Sequence, residues 1–343
     1  MQHFNALRTR TWFAISFILS FAMVTFSCDT RKFVSKDTPA AGNNNLLFEQ
    51  IRNTSGINAA LIIKDEDIVF EYYRSIFPEY PETKVEFQSC TKSIVSILMG
   101  IAIDKGLIEN VDVKISKYFP ELEQDSDTRK KEIAIRHLLD FTAGFKPPEY
   151  NAWVNSLNWV DFVLNRPMAA SPGEQWEYNS GASHLLSAIL QKASGTGTLS
   201  FAMKHLFGPL GIEDISWRQD PQGVTTGAFG LMLKPKDAVK IGLLYLHNGK
   251  YEGKQIVSSG WVKESTRSYS MFTFQDQVTY GFNWWINEKA RIPFFYAMGY
   301  GGQYILIAPK INVVAVFTSN LSDNDYFLPS KFFDAFLNGE NGI

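Results

Sequence analysis

The sequence predicts a mixed α/β fold of the α+β kind: an antiparallel sheet built from strands at both ends of the chain, flanked by helices, with a mostly helical region at about 116–240 inserted between them. Three observations predict it. Strand patterns rich in aromatic and β-branched residues occur early, in "INAALIIKDEDIVFEYYR", and then only late, in "YGFNWWI", "PFFYAMG", "QYILIAP" and "NVVAVFTS". Between them run helical patterns separated by Pro and Gly clusters such as "FKPPEY", "SPGEQ" and "DPQG". A chain of 343 residues, 45% hydrophobic and 14% aromatic, can also bury a large core, as one domain or two intimate ones.

The chain opens on "MQHFNALRTRTWFAISFILSFAMVTFSCDTRK". Arg8 and Arg10 precede an apolar run from Trp12 to Phe26 that is shorter than a spanning helix usually needs. Residues 1–27 therefore read as a secretory signal, with a single uncleaved membrane anchor as the alternative. Cys28, directly after the small Ser27, resembles the lipidation box of bacterial lipoproteins. The expectation is a lipidated Cys28 and an extracytoplasmic protein anchored to a membrane of the bacterial cell envelope.

Residues 28–45 are mostly polar or small and lack an apolar period, which reads as a tether. The folded part, 46–343, begins near Leu46. Its first two strands surround a turn at Asp65-Glu66-Asp67. In "QSCTKSIVSILMG", Ile94, Ile97, Leu98 and Ile101 recur at helical spacing, so one face of that helix is buried, and Gly106 ends it after Lys105. The late strand patterns are closely spaced, as successive antiparallel strands are, and "YFLPSKFFDAFLNG" reads as a closing helix.

Charge and cysteine content exclude several classes. With 33 Lys+Arg against 35 Asp+Glu, the chain is nearly balanced at -2, and no basic run with interleaved aromatics is present to track nucleic acid. The two cysteines are Cys28 and Cys90. With lipid on Cys28, Cys90 has no disulfide partner, and stability must come from the core. As a nucleophile Cys90 would be turned away from Lys92 by two helical steps of about 100° each, so a small buried hydrophobe is the better reading. His137, His184, His205 and His247 are dispersed, without the grouping that suggests zinc, and no metal or other cofactor is expected. A Gly-x-Ser-x-Gly elbow is absent as well, which argues against an α/β-hydrolase.

Ser89 alone among the serines is followed three residues later by lysine, Lys92, one helical turn away on the same face. Either Lys92 is a solvated charge near a helix start, or the pair is a nucleophile with its proton acceptor. A serine at a helix N-terminus feels the positive end of the macrodipole, and a buried lysine can lose its proton and become a base. In "SPGEQWEYNSGASHLLSAIL", Tyr178 follows a Pro172-Gly173 turn and precedes a helix. It is a packed aromatic, or a phenol that ionises beside a lysine ammonium and takes the serine proton. Gly299, Gly301 and Gly302 in "FFYAMGYGGQYILIAP" allow a ligand to approach the backbone, and also serve ordinary turns.

In order and spacing these segments resemble the serine β-lactamase-related superfamily, which comprises class C β-lactamases, D,D-peptidases, related esterases and 6-aminohexanoate-dimer hydrolases. The resemblance extends over most of the chain from about residue 46 and includes "ISKYFPEL", "IAIRHLLDFTAGF" and "GLMLKPKDAVKIGLLYLHNGKYEGKQIVSSGWV". It implies a β-lactamase/transpeptidase-like fold, with Ser89 as the acylated nucleophile, Lys92 as the lysine of the same motif and Tyr178 as the tyrosine of a Tyr-x-Asn motif. Ser180 stands in the asparagine place of that motif and Asn179 one residue early; with Gly299 they are the implied substrate contacts. Where the family often reads "GHTGFGG", this chain reads "YAMGYGG", so Ala297 and Met298 replace a Lys-Thr or His-Thr pair. Ser89 N–H and Tyr300 N–H are the implied oxyanion donors. The implied activity is cleavage of a small-molecule ester or amide through an acyl-serine. A true β-lactamase or D,D-peptidase is the alternative among enzymes, and a non-catalytic penicillin-binding sensor lipoprotein is the rival from another class.

Overall fold

The structure, a computed structural model, describes residues 44–74, 80–269 and 278–339. The expected signal, Cys28 and nearly all of the tether lie outside them. The early strand pattern forms a hairpin of β1 (Ile57–Lys64) and β2 (Asp67–Tyr73). Its two-residue turn holds Asp65 and Glu66 at φ of 50° and 69°, the left-handed pair that matches the twist of paired strands. Asn312 Nδ2 donates to Asp65 Oδ1 at 3.2 Å and ties this turn to the far end of the chain.

Five more strands come from the late patterns: β3 (Thr279–Tyr280), β4 (Trp285–Asn287), β5 (Phe294–Gly299), β6 (Gln303–Ala308) and β7 (Val313–Ser319). They join the hairpin in one antiparallel sheet of order β2–β1–β7–β6–β5–β4–β3, so the first strand lies against the last. "YGFNWWI" is not one strand. It doubles back between β3 and β4, with Asn283 at φ 60°.

Strand alternation assigns the faces of the sheet. Phe295, Ile305, Ile307 and Val314 share one face, against the helix Pro235–Leu246. Gly242 of that helix lies so close that a Cβ there would stand 2.4 Å from Val314. On the other face Phe294 packs edge-on against Phe333 of the closing helix Leu328–Asn338, at 5.3 Å. There Phe48 of the helix Asn45–Asn53 also stacks on Phe70, at 4.3 Å. This first helix is an addition to the sequence reading, because its buried stripe is only Leu47, Phe48 and Ile51.

The inserted region carries the helices Tyr150–Val154, Trp159–Leu164 and Ser180–Ser194, and departs from expectation in two respects. It contributes residues 216–217 and 231–233 to a small three-stranded sheet with residues 85–86. In addition, Pro235–Leu246 belongs to the layer on the main sheet, so the insertion closes before that helix and not at residue 240.

The helix Cys90–Asp104 lies between the sheet and the helix Ser180–Ser194. Every residue from Cys90 to Ala102 is buried, where one buried face was expected. Lys92 apart, this enclosed stretch is apolar or small, and Gly100 shows why: a Cβ there would stand 2.3 Å from the Trp261 ring. The helix ends as expected at Gly106, φ 70°, with Leu107 N–H returning to Ala102 O at 2.9 Å.

Candidate active site

The segment before Ser89 is held by the small sheet. Phe87 N–H bonds Leu231 O at 2.9 Å, and Gln88 then turns through φ 49°, a rare value for a residue with a Cβ. This sharp turn places Ser89, half-buried, at the head of its helix. The first turn of the helix is pinned to the sheet by Cys90 Sγ donating to Gln303 O at 3.4 Å and by Ser93 Oγ donating to Asn283 O at 2.6 Å. Burial pushes the Cys90 thiol up, as suits a packed side chain and not a nucleophile.

Lys92 is 2% exposed. Its Nζ donates to Ser89 Oγ at 2.9 Å and to Ala228 O at 2.8 Å, and among the described residues no carboxylate pairs with it. Removal from water without a counter-charge disfavours the ammonium, and burial lowers the Lys92 pKa to about 7. At neutral pH a large share of the molecules therefore presents an amine lone pair to the serine hydroxyl.

Tyr178 is hydrogen-bonded to the Ser89 side chain, and its ring lies 5.1 Å from Lys92 Nζ. Phe141 packs on it edge-on at 4.9 Å and Trp285 stacks at 6.2 Å, while Trp176 and Tyr280 extend the aromatic wall. Inside that wall burial pushes the phenol pKa up. Of the two readings of Tyr178, a packed aromatic or a phenol that ionises, this burial favours the neutral phenol.

Gly299 brings β5 against the turn before Ser89. A Cβ there would stand 2.4 Å from Phe87 O and 2.9 Å from Gln88 Cβ, so only glycine permits the approach. Its part in the fold is close backbone packing. Tyr300 follows Gly299 directly, and among the described residues neither its backbone N–H nor that of Ser89 finds an acceptor. Gly301 and Gly302, with φ of 76° and 88°, turn the chain back into β6.

Asn179 also differs from the reading as a substrate contact. It is 3% exposed, its Oδ1 accepts from Ala182 N–H at 3.1 Å, and its Nδ2 donates to Phe145 O at 3.2 Å. Oδ1 is thus occupied in capping the helix Ser180–Ser194, and Nδ2 ties that cap to the Phe145 carbonyl. Ser180, the first residue of that helix, stays half-buried. Ala297 is fully buried on the sheet face that carries Ile305, and Met298 is half-buried on the opposite face beside Tyr304. Neither brings a polar group.

Two parts of the site have no mark in the sequence. Ala228 contributes a backbone carbonyl, which any residue could supply. A cleft of about 480 Å³ opens beside Gln88, lined by Glu86, Tyr150, Arg218, Phe229 and Met232 among others. Its walls are contributed by the small sheet and so are legible only after folding. Of the histidines, His184 is fully buried with Nε2 3.0 Å from Asp220 Oδ2, and His137 Nδ1 accepts from Ala134 N–H at 3.1 Å, both structural positions.

Comparison with known proteins adds the relationship. A family model described as Beta-lactamase matches residues 45–334. An uncharacterized protein of Alkalihalophilus pseudofirmus is 28% identical over 75% of this chain and 82% of its own length. Penicillin-binding protein 4* of Bacillus subtilis is 23% identical over 54% of this chain, which spans 44% of that longer protein. Among solved structures, the Bacillus anthracis protein assigned as a 6-aminohexanoate-dimer hydrolase superposes with a TM-score of 0.72 at 18% identity, covering 85% of this chain and 82% of that one.

Proposed function

Since the chain belongs to the beta-lactamase family, we propose that it is a serine hydrolase that cleaves an ester or amide bond through an acyl-serine intermediate. The observation that carries this reading is the contact of Lys92 Nζ with Ser89 Oγ at 2.9 Å, made by a lysine whose pKa burial has lowered to about 7. In the first step the neutral Lys92 amine accepts the Ser89 hydroxyl proton as Oγ bonds to the substrate carbonyl carbon. The carbonyl oxygen, now negative, is received by Ser89 N–H and Tyr300 N–H. Tyr178, kept as a neutral phenol, hands its proton to the departing alcohol or amine and is refilled from Lys92. Water then attacks the acyl-serine by the reverse route.

Intact-mass analysis after rapid quench with 4-nitrophenyl acetate tests the reading. The expected result is an acetyl adduct that maps to Ser89, continued release of nitrophenol, and loss of both in Ser89→Ala. Turnover in Ser89→Ala near that of the parent would overturn it. An adduct on Ser89 without turnover would point instead to a sensor that is acylated and never released.

A further inference from the structure

Lys92 takes its second hydrogen-bond acceptor, the Ala228 carbonyl, from a hairpin loop at 218–230 that is docked on a helix through buried polar side chains. The loop is closed by Arg218 N–H to Gly230 O at 3.1 Å, Thr226 N–H to Arg218 O at 2.9 Å and Asp220 N–H to Val224 O at 2.9 Å. The helix Ser180–Ser194 receives it on one face. Gly227 lies so near that a Cβ there would stand 2.0 Å from Ser183 O, His184 Nε2 is 3.0 Å from Asp220 Oδ2, and Ser187 Oγ donates to Thr225 O at 2.6 Å. The rings of Trp153 and Trp159, edge-on at 5.8 and 5.5 Å, help to shut His184 from water. Asp220 spends Oδ1 on the N–H groups of Gln222 and Val224, at 2.8 and 2.9 Å. The last link is Thr226, fully buried, whose Oγ1 accepts from Ala228 N–H at 3.3 Å. Buried polar pairs are costly to desolvate and add little net stability, so a set of them points to a need for one fixed geometry.

What the loop fixes is the direction of an amine. Neutral Nζ carries two N–H bonds and one lone pair at tetrahedral positions. With one N–H committed to Ala228 O at 2.8 Å, the lone pair has two positions left, and Ser89 Oγ, 2.9 Å away, faces one of them. The same carbonyl accepts from the ammonium, so it keeps the base from weakening further than burial alone would make it. Cys90 and Tyr178 are the titratable groups beside Lys92, and burial pushes both up, so both are neutral near pH 7. We propose, resting on the hydrolase reading above, that His184, Asp220 and Thr226 are positioning residues for the Lys92 base, acting through the Ala228 carbonyl.

The test pairs Thr226→Val, which keeps the shape and removes the hydroxyl, with Thr226→Ser, which restores it. The Lys92 titration is followed by NMR in protein carrying isotope-labelled lysine, its signal assigned by loss in Lys92→Met, and kcat/KM for 4-nitrophenyl acetate is measured over the same pH range. Thr226→Val is expected to lower both midpoints by about one pH unit and the kcat/KM plateau about tenfold, because the ammonium loses an acceptor and the lone pair its direction. Thr226→Ser should return both most of the way. His184→Leu should act like Thr226→Val, and His184→Gln, whose amide can donate to Asp220, should act like the parent. The Thr226 pair decides alone if His184→Leu does not fold. A variant that melts earlier while its midpoint stays at or above the parent's overturns the assignment, since that is what a merely structural role gives. The NMR midpoint needs no turnover. If it falls in Thr226→Val and recovers in Thr226→Ser while the parent hydrolyses no ester, the hydrolase reading alone is lost. Ester hydrolysis that depends on Ser89, with midpoints indifferent to Thr226 and His184, would sink this assignment alone.

Discussion

In the proposed mechanism Lys92 is the residue on which most of the chemistry turns, and its burial has consequences for both rate and stability. The reactive form is the neutral amine, so kcat/KM for a neutral ester is expected to rise with pH through about 7 and level off above it. A pH–rate profile that is flat from 5 to 9 would remove Lys92 as the base. The same group works against folding in acid. The folded-state pKa of about 7 lies below the ordinary lysine value of 10.5, so the unfolded chain binds the extra proton between these values and stability rises with pH across that window. Below pH 7 the folded state carries the full cost, up to about 5 kcal/mol. Lys92→Met should therefore be inactive yet harder to denature than the parent, with the gap widest in acid and closing as pH rises from 7 toward 10.5. Tyr178→Phe removes only a hydroxyl, and as the proton donor to the leaving group it should cost roughly a hundredfold or more in kcat without moving the melting temperature far. Ser89 and Lys92 were legible in the sequence because they lie within one helical turn, where spacing alone fixes proximity. The aromatic wall and the Ala228 carbonyl were not, since the chain returns to Lys92 only after 136 residues.

At the scale of elements, the contact of β5 with the turn before Ser89 leaves no room for a side chain. Gly299→Ala puts a methyl 2.4 Å from Phe87 O, so β5 must withdraw and carry the Tyr300 N–H with it. The expected outcome is a loss of about 1–3 kcal/mol in stability together with a fall in kcat larger than the change in KM, measured by denaturant titration and steady-state kinetics. An alanine variant with the parent's kcat would show that β5 does not supply an oxyanion donor. The elements themselves were legible wherever one period ran long enough. The β1–β2 hairpin, β5, β6, β7, the Gly106 stop and the closing helix all carry such patterns. "YGFNWWI" misled because the Gly281–Trp284 turn is as aromatic as the strands it joins, and the strands at 216–217 and 231–233 are too short to show alternation. Asn179 was misplaced for another reason: a cap and a substrate contact need the same kind of side chain, and only burial distinguishes them.

For the molecule as a whole, two predictions concern what it acts on and where it resides. A β-lactam presents a carboxylate to the place where the family often carries a Lys-Thr pair, and here Ala297 and Met298 bring no polar group to it. Charge-assisted hydrogen bonds are worth about 1.5–3 kcal/mol each, so their absence amounts to roughly ten- to a hundredfold in selectivity. Short neutral esters are expected to show a larger kcat/KM than any cephalosporin tested, and a cephalosporin that outpaces every ester would show a grip elsewhere. Cys28→Ser is expected to release the protein from the membrane fraction or to leave an unprocessed precursor, read by fractionation and N-terminal mass analysis. Because one acyl chain binds a membrane only weakly, the mature Cys28 should carry more than one. A mature N-terminus elsewhere, without lipid, would end that proposal.

The pairing of β1 with β7 sets the order in which this protein can be made. Ile57 faces Ser319 across that pair, so one edge of the β1–β2 hairpin stays unpaired until residues 313–319 have left the ribosome. Contacts this distant in sequence are slow to form, and an apolar edge that waits for its partner is open to association with another chain. Synthesis that stops short of residue 313 should therefore yield not a shorter folded protein but a sticky intermediate, and the commitment to fold falls to β7 and the helix Leu328–Asn338.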